Sequence, residues 1–226
     1  KNEMSSSSCR LLHIPILRNV DSFWDEAIDR MDFGERTLGF LQTVFKAGAL
    51  DKAAARNLEK GGQAMLYSIM LATASGPLVE ALRACVRESK GDGGIGTGRP
   101  IIFHCQKGKD RTGVLAMLIQ SCLNESDDKI IEAYARSGEL LGGEDGDAVK
   151  NNRDNIDTDK EAEQSGGLVD WSYFRGSPAS AMEDTLGWIR QRYGSVDSYL
   201  DAASFDESQR NLLRELVSEA RSIKQE

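Results

Sequence analysis

The chain is short of the residues that build several common kinds of site. It has four cysteines in 226 residues, Cys9, Cys85, Cys105 and Cys122, and no two form a Cys-x-x-Cys spacing. That argues against a disulfide framework and against a zinc ribbon, and it fits a reducing, cytoplasmic setting. Two histidines make a His-rich metal site a poor expectation. Aromatic residues are 7% of the chain, so the core is expected to be built from Leu, Ile, Val, Ala and Met. No apolar run has the about 20 residues that a bilayer-spanning helix needs. The opening KNEMSSSSC lacks the apolar stretch of a secretory signal. Basic residues are outnumbered, 28 Lys and Arg against 36 Asp and Glu, for a net charge of -8. Such a chain repels a nucleic-acid backbone, so nucleic acid is not an expected partner. A local basic cleft can still attract a small anion, because its field is set by the groups nearest to it.

What is present reads as a sequence of short elements. Residues 9–17 form an apolar run ending near Pro15, which predicts a buried strand. From Asp21 the pattern turns helical: Phe23, Trp24, Ala27, Ile28 and Met31 recur at spacings of three and four, with Asp21 or Ser22 as the expected cap. Helical pieces follow at 35–47 and 51–59, broken around Gly48, then at 63–73 and from Gly76 to about Ser89. The Gly-rich 91–100 reads as a connector, since no strand precedes it and no helix opens from its glycines. Residues 101–105, IIFHC, predict a second buried strand. A polar loop at 106–111 and an apolar helix at 112–123 come next. A helix is expected at 128–141, capped by Ser126 or Asp127, and further helices at 178–192, 195–203 and 207–224. Between them, 142–167 is acidic, rich in Gly, Asn and Asp, and without periodicity, as expected of a long surface loop.

The chemistry concentrates in IIFHCQKGKDRTG, residues 101–113. A strand, a tight glycine-containing loop and a helix start can turn successive N–H groups inward, and the helix dipole adds positive potential at the same point. Such a site binds an oxyanion. It also favours the thiolate of Cys105 and so makes it a nucleophile near neutral pH. Arg111, six residues on, can offer its planar fork to two phosphate oxygens. Gly108 allows a backbone geometry that a Cβ would hinder, and Thr112 can donate its hydroxyl hydrogen to the sulfur. Cys-x5-Arg alone is a weak pattern. The apolar run before it, the glycine within it, and Thr-Gly with a long apolar helix after it make the stronger case. Cys9, Cys85 and Cys122 sit in apolar patterns and read as inert core residues. His104 reads as a structural partner of the loop.

HCQKGKDRTG resembles the signature loop of the protein-tyrosine phosphatase superfamily. Its GKDRTG form is similar to the bacterial and fungal tyrosine/serine phosphatases, a group that includes enzymes acting on phosphoinositides. Residues 130–141 and 189–200 resemble downstream segments of the same group. The resemblance implies Cys105 as nucleophile, Arg111 as phosphate binder, and residues Gln106, Lys107, Gly108, Lys109, Asp110 and Arg111 as the phosphate cradle, with Thr112 assisting the leaving step. It implies a phosphocysteine intermediate and no metal or other cofactor. The proton donor is expected to be a carboxylic acid. Asp110 is the first candidate, Asp21 the second and Asp25 the third. The substrate is expected to be a phosphoprotein or a phosphoinositide, and Lys107 and Lys109 suit a polyphosphorylated one.

The expected fold is therefore α/β: a small, mostly parallel central sheet flanked by many helices, forming one phosphatase domain over 1–226, with a helical lid within 21–75 and an acidic loop at 142–170. The family's earlier "DLR"-like strand has no counterpart here, so N-terminal strands are expected to be missing from this chain. Two rival readings stand beside the hydrolase. One is a catalytically impaired phosphate-binding module, suggested by Arg18 where relatives carry an acid. The other is a sulfurtransferase, which also uses a Cys-headed loop but is disfavoured by Arg111-Thr112-Gly113.

Overall fold

The architecture was taken from a computed structural model, which describes residues 10–90, 100–140 and 168–223. Residues 91–99 of the connector expected at 91–100, the acidic loop expected at 142–167 and Cys9 lie outside the described residues. Helix α1 (Val20–Asp29) starts where Asn19 Oδ1 accepts from the Ser22 amide at 3.1 Å. The cap is thus Asn19 and not Asp21 or Ser22, because its carboxamide oxygen meets an N–H that the first turn leaves without an acceptor. Helix α2 (Phe33–Thr43) ends before Gly48, whose φ of 74° caps α3 (Ala49–Thr73). The two pieces expected at 51–59 and 63–73 are one long helix, kinked at Gly62, whose φ of 57° and ψ of -155° interrupt the helical run. Helix α4 (Ser75–Lys90) follows it after a bend of 82°.

Helices α5 (Asp110–Cys122) and α6 (Asp127–Leu140) follow, then a 3₁₀ turn (Trp171–Phe174). The chain closes with α7 (Ala179–Tyr193), α8 (Val196–Ala202) and α9 (Glu207–Ile223). Helix α3 is the centre of the packing: α1, α2, α4, α5, α7 and the 3₁₀ turn all lie against it. The apolar residues of one continuous core come from it and its neighbours. They include Leu58, Ile69 and Leu71 of α3, Leu78 and Leu82 of α4, Met117 and Leu118 of α5, and Met182 and Ile189 of α7. No single helix among the described residues is long and apolar enough to cross a membrane.

The expected α/β fold with a central parallel sheet is overturned: the described residues contain helices and no strand. The two segments expected to be strands, 10–17 and 101–105, run without regular structure and exchange no backbone hydrogen bonds with one another. A strand is defined by the ladder it shares, and an apolar run without a partner cannot form one. The alternation of side chains survives the loss of the ladder. Phe103 packs on the core and Cys105 is half-buried, while Ile102 is 90% exposed and His104 faces outward. The complete burial expected for these runs is not observed.

Candidate active site

The loop from Cys105 to Lys109 leads straight into α5, so the amide ends of that helix face the loop. Gly113 N–H is the first amide of α5 to bond back, donating to the Lys109 carbonyl at 2.7 Å. The amides of the preceding first turn have no intrahelical acceptor, which leaves donors for an anion or for a sulfur. Gly108 holds φ at 71°, with no heavy atom within 4 Å of where a Cβ would stand. Backbone conformation rather than crowding is what selects glycine there.

Cys105 and Thr112 form a closed pair. The Cys105 amide donates to Thr112 Oγ1 at 2.8 Å, and the same hydroxyl favours the Cys105 thiolate. Burial by itself pushes the thiol up. The Thr112 hydroxyl and amide, the charge of Arg111 and the Lys109 amide outweigh it, and the Cys105 thiol falls below its ordinary range. The other described cysteines go the opposite way. Burial raises Cys85, and burial together with the nearby Asp197 carboxylate raises Cys122 to about 11. Among the described cysteines, Cys105 alone is held below the ordinary thiol range. His104 Nδ1 lies 3.0 Å from the Cys105 carbonyl oxygen, on the outer side of the loop.

The remaining loop residues divide. Gln106 is exposed, while Lys107, Gly108 and Arg111 are half-buried. Lys109 is turned inward: only 6% exposed, it donates through Nζ to Asp110 Oδ1 and to the Phe174 carbonyl, both at 2.8 Å. Its amide serves the sulfur, but its ammonium is committed to the protein interior. Asp110 Oδ1 receives a second donor, the Tyr67 hydroxyl of α3, at 2.6 Å. Tyr67 in turn lies 2.6 Å from the hydroxyl of Tyr134 on α6. With the Tyr67 hydrogen given to the carboxylate, Tyr134 must donate to Tyr67.

Asp21 and Asp25 are both exposed on α1, and neither has a hydrogen bond or ion pair with a described loop residue. Arg18 is tied to Glu80 of α4 at 2.5 Å. The sequence reading did not anticipate Tyr67, Tyr134 or the Phe174 carbonyl. The one signal for the tyrosines was a polar-tipped aromatic inside each apolar helical pattern, since a buried phenol needs a partner. Gly113 was read as part of the motif. Its reason is steric: a Cβ there would stand 3.0 Å from the Tyr134 ring.

The arrangement can hold an oxyanion against helix-start amides and a guanidinium while presenting a thiolate to it. A family model described as the tyrosine phosphatase family matches residues 5–219. No curated protein matches the chain.

Proposed function

The chain belongs to the tyrosine phosphatase family, which supports a phosphatase function, and on that premise we propose that it hydrolyses phosphomonoesters through a phosphocysteine intermediate. The observation that carries this reading is the Cys105 sulfur, surrounded by Thr112, the Lys109 amide and the Arg111 charge and held below the ordinary thiol range. In the first step the Cys105 thiolate attacks phosphorus. A P–S bond forms, the P–O bond to the leaving group breaks, and the departing oxygen takes up a proton. In the second step water attacks the phosphocysteine, releasing inorganic phosphate and restoring the thiolate. Arg111 and the loop amides neutralise the equatorial oxygens through both steps. Thr112, already bonded to the Cys105 amide, stabilises the thiolate as it leaves.

The substrate class we propose is a phosphoprotein or a phosphoinositide. Lys107 rather than Lys109 is the loop lysine whose side chain suits a further phosphate, because the Lys109 ammonium is buried against Asp110 and Phe174. Within 21–75, α2 is the element suited to act as a lid. Its outward side carries Phe33, Phe40 and Leu41, all exposed, whereas α3 belongs to the core.

The test is hydrolysis of para-nitrophenyl phosphate by the parent and by Cys105→Ser, with vanadate and EDTA as separate additions. The expected outcome is turnover by the parent, inhibition by vanadate, indifference to EDTA, and a loss of about 10³-fold or more in Cys105→Ser. A folded parent without turnover would sink the hydrolase reading and favour the impaired phosphate-binding module.

A further inference from the structure

Resting on that reading of the loop, we infer that Tyr67 is a positioning residue for the reaction: acting through Asp110, and itself fixed by Tyr134, it holds the Lys109–Asp110 corner of the phosphate loop in the geometry that activates Cys105. The chain of contacts is continuous. Tyr134 of α6 donates to Tyr67 of α3, Tyr67 donates to Asp110 Oδ1, and the same oxygen accepts from Lys109 Nζ. Lys109 is clamped from its other side by the Phe174 carbonyl. The Lys109 amide, one residue before Asp110, is among the groups that favour the Cys105 thiolate. A shift of this corner therefore moves a group that stabilises the nucleophile.

Two further observations point the same way. Tyr67 is fully buried, so its phenol has no solvent alternative to Asp110 and Tyr134. The rings of Tyr67 and Tyr134 meet edge to face at 5.9 Å, and Tyr134 can stand so close to α5 only because residue 113 has no Cβ. The titratable groups that face Asp110 are Lys109 on its own loop and, from α3 and α6, the two phenols. Cys105 is faced by the charge of Arg111 and by the uncharged Thr112 and Lys109 donors. Asp110 Oδ1 is thus occupied by two donors that belong to the scaffold, which assigns Asp110 to holding the loop rather than to protonating the leaving group.

The experiment measures the pH dependence of Cys105 alkylation by iodoacetamide, a readout that needs no turnover, in the parent, Tyr67→Phe, Asp110→Asn and the double variant. Leaving-group dependence of kcat is measured alongside. The parent's alkylation midpoint, below that of an ordinary thiol, tests the proposed function by itself. The expected result is that Tyr67→Phe and Asp110→Asn both raise the midpoint. Alkylation below it then slows roughly three- to tenfold, because less thiolate is present. The double variant is expected to match Asp110→Asn, as two members of one network should. Tyr67→Phe alkylating at the parent's midpoint would overturn the inference. So would an Asp110→Asn variant that keeps the midpoint but loses kcat selectively on poor leaving groups, the signature of a proton donor. If Tyr67→Phe does not fold, Tyr134→Phe is read in the same assay: a raised midpoint supports the network and an unchanged one overturns it.

Discussion

Thr112 does two jobs with one oxygen, accepting from the Cys105 amide at 2.8 Å and favouring the thiolate of the same residue. Thr112→Val keeps the shape and removes both. The folded Cys105 thiol is held below its ordinary range, so activity that needs thiolate rises with pH through that lowered value. Thr112→Val raises the value, and the acid limb of the kcat/KM profile is expected to move to higher pH. A second prediction concerns Gly113. Alanine is intrinsically better in a helix by about 0.8–1.0 kcal/mol, yet its Cβ would meet the Tyr134 ring at 3.0 Å. Overpacking of a buried, hydrogen-bonded ring typically costs about 1–3 kcal/mol. Gly113→Ala is therefore expected to be neutral to about 2 kcal/mol destabilising by urea denaturation, and to slow turnover by displacing Tyr134. At this scale much was legible. Cys105, Gly108, Arg111 and Thr112 act within a few residues of one another, and local spacing is enough to bring them together. The inward turn of Lys109 was not legible, because its acceptor is a carbonyl 65 residues away.

The helices follow the periodic pattern closely, since an apolar stripe at spacings of three and four can be buried only in a helix. The two runs read as strands share the failure of that method: a short apolar run tells which side chains face inward, but not whether a ladder partner exists. Between elements, the clearest single tie is Arg210 of α9. It is 4% exposed and bonds Asp201 of α8 at 2.6 Å and the Phe205 carbonyl at 2.7 Å. Arg210→Met keeps the stem and removes the charged donors. A stability loss of about 1.5–3 kcal/mol is expected, the range for hydrogen bonds to charged groups, read as a lower urea midpoint at unchanged slope. Helix α2 offers the contrast. Phe45, just beyond it, is 91% exposed, so Phe45→Ser should move stability by less than about 0.5 kcal/mol. Phe205, fully buried, should cost about 3–5 kcal/mol on truncation to Ala.

Over the whole molecule, burial leaves several acidic side chains locked in their neutral forms. Burial, with the neighbouring Asp110, raises Tyr67. Burial raises Tyr199, pushes Tyr134 up to about 12 and, with Asp197, Cys122 to about 11. The sign follows directly. A group whose folded value lies above its unfolded one contributes stability that is fully present below the unfolded value and is lost as pH rises toward the folded one. Stability should be flat with respect to these groups at neutral pH and fall once the pH passes the ordinary cysteine and tyrosine values, about 8.5 and 10. Urea midpoints at pH 8 and 10.5 check this, with tyrosinate absorbance at 295 nm expected to rise together with the loss of far-UV ellipticity. A midpoint that did not fall would contradict the burial of these phenols.

The sequence by itself determined what is local. The order and extent of most helices, the loop between Cys105 and Thr112, and the glycine at 108 all depend on contacts within about one turn of chain. Only the tertiary structure decided that 10–17 and 101–105 stand without a ladder, that 51–59 and 63–73 join into one central helix, and that Asp110 answers to Tyr67, 43 residues away. The physical reason is common to the first and the last. Hydrogen-bond partners that are distant in the chain are chosen by packing, and a spacing pattern records which side chains turn inward but not what they find there.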